Sequence, residues 1–179
     1  ILIPIILLFI YFSLTNEKKV VEKEPLEPAE KTVESSNIIK DVSYTSKDAS
    51  GNEYYLEAEE GIIDQNKSDI IFLTNVKAVI NLKNYEVVEI YSNFGKYNIN
   101  NYDTIFSKNV IITYLENEIK GNYLDFSWEK NLMTISKGVN IKNKESSLIA
   151  DVIEVNLKTK DVKIFMYEEN KKVNIKTLK

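Results

Sequence analysis

From Asn37 onward the chain alternates apolar and polar residues with period two, and that alternation slips by one residue at recurring places. Val76-Ala78-Ile80-Leu82, Val110-Ile112-Tyr114 and Val139-Ile141 show the regular part. Such alternation in Val, Ile, Tyr and Phe predicts strands buried on one face. No convincing run at helical spacing interrupts it, so the region is expected to be all-β. Four segments also resemble one another: 56–76, 90–110, 119–139 and a fourth beginning at Leu148. The small residues Ala58, Ser92, Gly121 and Ala150 fill one column of this repeat, Asp69 and Asp103 a second, and Val76, Val110 and Val139 a third. Each unit reads as strand, polar turn, strand, with turns expected at 65–69, 100–103, 129–131 and 158–161, where Asn, Asp and Lys supply turn chemistry.

Past the small residue the alternation slips by one: Tyr123 and Leu124 are adjacent and both apolar, as are Val152 and Ile153. One strand cannot aim adjacent side chains into the same core. A bulge or corner that re-aims the chain resolves the conflict, and a small side chain at the bend lets two layers approach. The expected architecture is therefore a folded-over antiparallel sheet: a sandwich, a jelly roll or an open barrel stack.

The N-terminal region is different. Residues 1–14, ILIPIILLFIYFSL, carry no charge. As a helix they reach about 21 Å, short of a hydrocarbon core of about 30 Å. Because the first residue is Ile rather than Met, the expectation is a transmembrane helix truncated at its start. A cleaved signal peptide is the competing reading, but Thr15-Asn16-Glu17 makes a poor small-x-small cleavage site. Residues 15–36 are polar and contain Pro25 and Pro28, which reads as a linker. The expected organisation is an anchor at 1–14, a linker at 15–36 and one β domain at 37–179.

Composition narrows the chemistry. The chain has no His and no Cys, which removes imidazole and thiolate zinc sites and His-dependent nucleophile systems. Its net charge of -4 offers no basic surface for nucleic acid. Every basic residue is Lys, so any anion contact is a point-charge contact without a guanidinium fork. Glu57 and Glu59 share the strand face opposite Leu56, where a solvated surface accounts for them better than an acid/base pair does. No catalytic residue, metal site or cofactor is expected.

Gly51-Asn52-Glu53-Tyr54-Tyr55-Leu56-Glu57-Ala58 resembles the G-x-x-Y-x-L-x-A opening strand of the LptC family of lipopolysaccharide export. The apolar N-terminal segment, the short linker and the repeated units ending on strands such as Val110-Ile111-Ile112 also resemble that family. Related export proteins share the repeat, so the anchor and the single short domain carry the distinction. The resemblance implies a twisted, OstA-like β-jellyroll behind one N-terminal membrane helix, in the periplasm of a Gram-negative bacterium. It implies a groove for lipid A acyl chains, an N-terminal edge docked on the inner-membrane ABC transporter, and a C-terminal edge paired with LptA, the periplasmic bridge protein.

The inward positions named by alternation are Leu56, Phe72, Val76 and Ile90 in the first half of the domain. Phe94, Val110, Ile112, Tyr123, Phe126, Met133 and Ile135 follow. Alternation alone accounts for a sealed core as well as for a groove; the resemblance implies the groove. Trp128 continues Leu124-Phe126 and reads as core or groove lip. Ile39, Val42 and Tyr44 at one border, with Val162, Ile164 and Met166 at the other, are the candidate partner edges, since a border strand offers free N–H and C=O groups. The Lys-rich tail after Lys171 reads as protection of the second border. A membrane-tethered adaptor that pairs with proteins and carries no lipid is the alternative.

Overall fold

Alternating segments joined by short polar turns pair with their neighbours in sequence, so the chain runs back and forth as a meander. The computed structural model describes residues 38–47, 51–64, 66–83 and 86–178. The strands are β1 (Ile38–Lys47), β2 (Glu53–Asp64), β3 (Lys67–Asn81), β4 (Val87–Asn98) and β5 (Thr104–Tyr114). They continue with β6 (Asn117–Ser127), β7 (Leu132–Lys142), β8 (Ser146–Asn156), β9 (Val162–Phe165) and β10 (Asn174–Thr177). Among the described residues they form one sheet in the order β1 to β8, with β9 and β10 both paired to β8. Every pairing is antiparallel.

The turns close through side-chain carbonyls that substitute for backbone acceptors. Asn98 Oδ1 accepts from the Asn100 N–H, and Asn143 Oδ1 accepts from the N–H groups of Glu145 and Ser146. Asn156 Oδ1 does the same for Lys158 and Thr159. The β2–β3 turn is tighter than the expected 65–69, since β3 already begins at Lys67. The hairpin at Leu115-Glu116, where Leu115 adopts φ 53°, was not expected at all.

The slip in alternation is a crease that crosses the strands. On β2 the buried positions run Leu56, Ala58, then Gly61; on β4, Ile90, Ser92, then Gly95 and Tyr97. β6 steps from Gly121 to Leu124, and β8 from Ala150 to Ile153 among its buried positions. The small-residue column therefore lies at the bend, buried on each of these four strands. β5 and β7 absorb the bend with one extra residue. Phe94 pairs with Ser107 and Tyr91 with Ile111, so β5 advances by four while β4 advances by three. β7 does the same between Ser136 and Asn140. The extra residues sit in the left-handed region: Lys108 at φ 59°, Asn109 at 53°, Lys137 at 65° and Gly138 at 77°. These are bulges that turn each strand from one layer into the next.

The result is a sheet folded over on itself. The Tyr54 and Trp128 rings lie with centroids 4.5 Å apart, edge to face. Tyr54 is on β2 and Trp128 follows β6, positions about 19 Å apart in a flat sheet at ~4.8 Å per strand. Tyr44 on β1 reaches Tyr97 on β4 at 5.5 Å in the same way. Between the layers Leu73, Ile90, Val110, Ile112, Leu124, Ile135 and Val139 are each less than 2 % exposed. Each such side chain contributes about 1.5–3 kcal/mol of burial. The fold is thus an all-β antiparallel open sheet, consistent with a β-jellyroll. The expected anchor and linker at 1–36 lie outside the described residues, and among those described no helix is long and apolar enough to cross a membrane.

Candidate functional site: an aromatic-lipped cleft between the layers

At one end the layers part. β1 alternates exposed Ser43, Thr45 and Lys47 with half-buried Val42, Tyr44 and Ser46, so Tyr44 turns inward over the gap. Tyr44 stacks on Tyr102 with centroids 6.1 Å apart, and Phe126 meets Trp128 edge to face at 5.1 Å. These rings and Tyr54 form the lip of a cleft of about 220 Å³, floored by Leu56, Ala78, Ile80, Ile90 and Phe106. That volume is below the ~300–1,000 Å³ of drug-sized sites. The cleft as it stands has room for a segment the size of part of an alkyl chain and not for a whole lipid.

The lip is fixed from behind. Asp103 Oδ1 accepts from the Trp128 N–H at 2.8 Å and Oδ2 from the Ser127 hydroxyl at 3.1 Å. Asp69, its counterpart in the repeat, ties the preceding turn: its carbonyl accepts from the Ile99 N–H at 2.9 Å. The Asp69 backbone and the Asp103 side chain thus each tie one turn to the following one.

Among the described residues Lys47 is the one charged residue of the lining, at the rim, 3.2 Å from Glu53 Oε1. The Tyr55 hydroxyl donates to the other Glu53 oxygen at 2.9 Å, and these two contacts hold the Glu53 carboxyl below its usual range. Burial, with a hydrogen bond to Tyr44, pushes the Tyr97 phenol well above its ordinary value, so it stays neutral. Among the described residues the lining is largely apolar and holds no carboxylate, which suits alkyl chains, since an alkyl chain cannot compensate a desolvated charge. Among the described residues no group of three or more acidic side chains is placed to hold a metal ion.

The sequence-derived positions divide. Leu56, Ile90 and Phe126 line the cleft. Val76, Val110, Ile112 and Ile135 lie in the closed interior, and Met133 packs against it half-buried. Phe72, Phe94 and Tyr123, read as inward-facing, lie outside the buried cluster. The cause is the one-residue slip: Leu73, Gly95 and Leu124 take the inward positions beside them. Lys108 sits over the Phe94 ring at 5.1 Å and Lys137 over Tyr123 at 5.7 Å, which suits residues half in water. Tyr54, Tyr97 and Tyr102 were missed as lining. Tyr97 was legible through Gly95-x-Tyr97 once the slip is applied; Tyr102 sits in a turn, where alternation carries no signal.

At the borders, Ile39 is exposed, whereas Val42 and Tyr44 pack onto the core. What β1 offers a partner is chiefly its backbone, since among the described residues it pairs with β2 alone. Val162 is exposed, Ile164 packs on the core, and Met166 lies just past the end of β9.

No curated protein matches the chain. The sequence model of the family described as "Lipopolysaccharide-assembly, LptC-related" matches residues 1–166. Proteins of that family are non-enzymatic components of lipopolysaccharide transport. With a match over most of its length, the chain belongs to the LptC family.

Proposed function

We propose that this chain receives lipopolysaccharide by its acyl chains in the cleft between the two layers and passes it along a protein bridge. The observation that carries the reading is the apolar, aromatic-lipped cleft whose only charged lining residue among those described is a rim lysine. Acyl chains leave water for that lining, at about 0.8 kcal/mol per buried CH₂. The closed interior behind the cleft makes passage depend on the layers parting. The energy comes from a partner, because the sequence has no phosphate-binding loop.

In this reading residues 1–14 belong to a membrane anchor and residues 15–36 to a linker. The β domain stands in the periplasm. β1 is the border that faces the inner-membrane ABC transporter, and the C-terminal border faces LptA. Both borders work by strand addition.

Photocrosslinking tests the proposal. A benzophenone amino acid at Leu56 or Phe126 is expected to form adducts with lipopolysaccharide in cells, while Phe94 on β4 and Tyr123 on β6, outside the buried cluster, are not. Lipid adducts absent from Leu56 and Phe126, with protein adducts from Ile39 and Val162, would replace this reading with that of a pairing adaptor.

A further inference from the structure

The C-terminal border is not one strand. β9 covers β8 only from Val152 to Val155, and β10 covers it from Ser146 to Ile149. Between them the chain leaves the sheet over residues 166–173. It does so at the crease, where the Tyr167 N–H donates to Asp151 Oδ2 at 3.0 Å. The family match ends at residue 166, directly after β9. β10 thus lies beyond the matched region, folded back onto the half of β8 that β9 leaves uncovered.

β10 is held by little. All four of its residues are exposed, and Ile175 is 69 % exposed. Among the described residues its attachment consists of the ladder to β8 and a bond past its end, from the Leu178 N–H to the Glu145 carbonyl at 2.7 Å. An unpaired border strand is a template for any extended chain. A four-residue strand that buries no side chain satisfies those backbone groups while remaining easy to displace.

We propose that residues 174–178 are a resident plug: an intrachain strand that occupies the β8 half-border and yields it to an incoming β strand. This rests on the reading of the C-terminal border as a partner edge, and it adds that the edge is self-occupied until a partner displaces the plug. The tether keeps the plug at high local concentration, so stray strands and second copies of the chain compete poorly with it.

The test uses the full chain in detergent carrying Ile175→Pro with Lys176→Pro. Consecutive residues of an antiparallel strand alternate in pointing their N–H groups at the neighbour, so one of the two prolines removes a ladder donor. A second variant ends after Val173. Binding of purified LptA and of a fluorescein-labelled peptide of residues 171–179 is measured for each. A plug docked nine-tenths of the time predicts an apparent Kd about tenfold lower in both variants than in the unaltered chain. Equal LptA affinity in all three chains overturns the plug. If LptA binds none of them, the partner-edge reading fails, and the peptide decides the plug: tighter uptake by the variants upholds it, and equal uptake overturns it.

Discussion

Gly121 shows how little room the crease leaves. A Cβ there would stand 3.0 Å from Ile135 Cγ2 and 3.1 Å from the Ser136 carbonyl oxygen. Gly121→Ala is expected to lower stability by about 1–3 kcal/mol through overpacking, read as a fall in the urea midpoint. Gly138 lies in the bulge on the next strand and differs in kind. Nothing stands within 4 Å of its missing Cβ, but its φ is +77°. Gly138→Ala should cost about 1–2 kcal/mol for conformation alone, and Gly138→Asn less, because Asn enters that region more readily. Asp125 gives a pH signature. Burial raises its pKa, with Asp103 adding to the rise and Lys130 opposing it. A raised carboxyl pKa means the folded state favours the proton: that stabilisation is complete below the unfolded pKa and is lost as pH rises through the folded one. Asp125→Asn should therefore be more stable than the unaltered chain at pH 7, with the advantage disappearing in acid; a constant difference across pH contradicts the assignment. At this scale the column Ala58, Ser92, Gly121, Ala150 was legible, because only small residues fit a bend between packed layers. Tyr123 was not, because its facing depends on which side of the bend it stands.

The strands carry their bend in the count of residues. β5 spends one more residue than β4 in crossing the crease, and this keeps Phe106, Val110 and Ile112 on one face. Deleting Asn109 shifts the register by one and turns Val110 and Ile112 toward water. The loss is expected to exceed about 4–5 kcal/mol, so the variant should show no cooperative unfolding transition by circular dichroism. Ending the chain before β10 removes no buried side chain and should change the melting free energy by no more than about 0.5 kcal/mol. The strands from β2 to β8 were legible because each is eleven or more residues long and alternates on both sides of its slip. β10 was not: Asn-Ile-Lys-Thr sits in a Lys-rich tail, and only the open half of β8 makes it a strand.

On the scale of the whole molecule, alternation dictates which side chains leave water but not how far apart two layers stand. Hence the folded-over sheet was readable and the position of its mouth was not. The gap opens where tyrosines and a tryptophan line the mouth, with Tyr54 and Trp128 meeting edge to face across it. Toward the crease, branched aliphatic side chains close the space completely. Trp128 is the sole tryptophan of the chain and stands on the lip, so its fluorescence reports on the cleft directly. The decisive measurement is a titration of the full chain with lipopolysaccharide bearing brominated acyl chains. Saturable quenching of Trp128, absent when the bromine is placed on the sugar, is the predicted result. Lipid that binds without quenching this residue would contradict the claim that its chains enter between the layers.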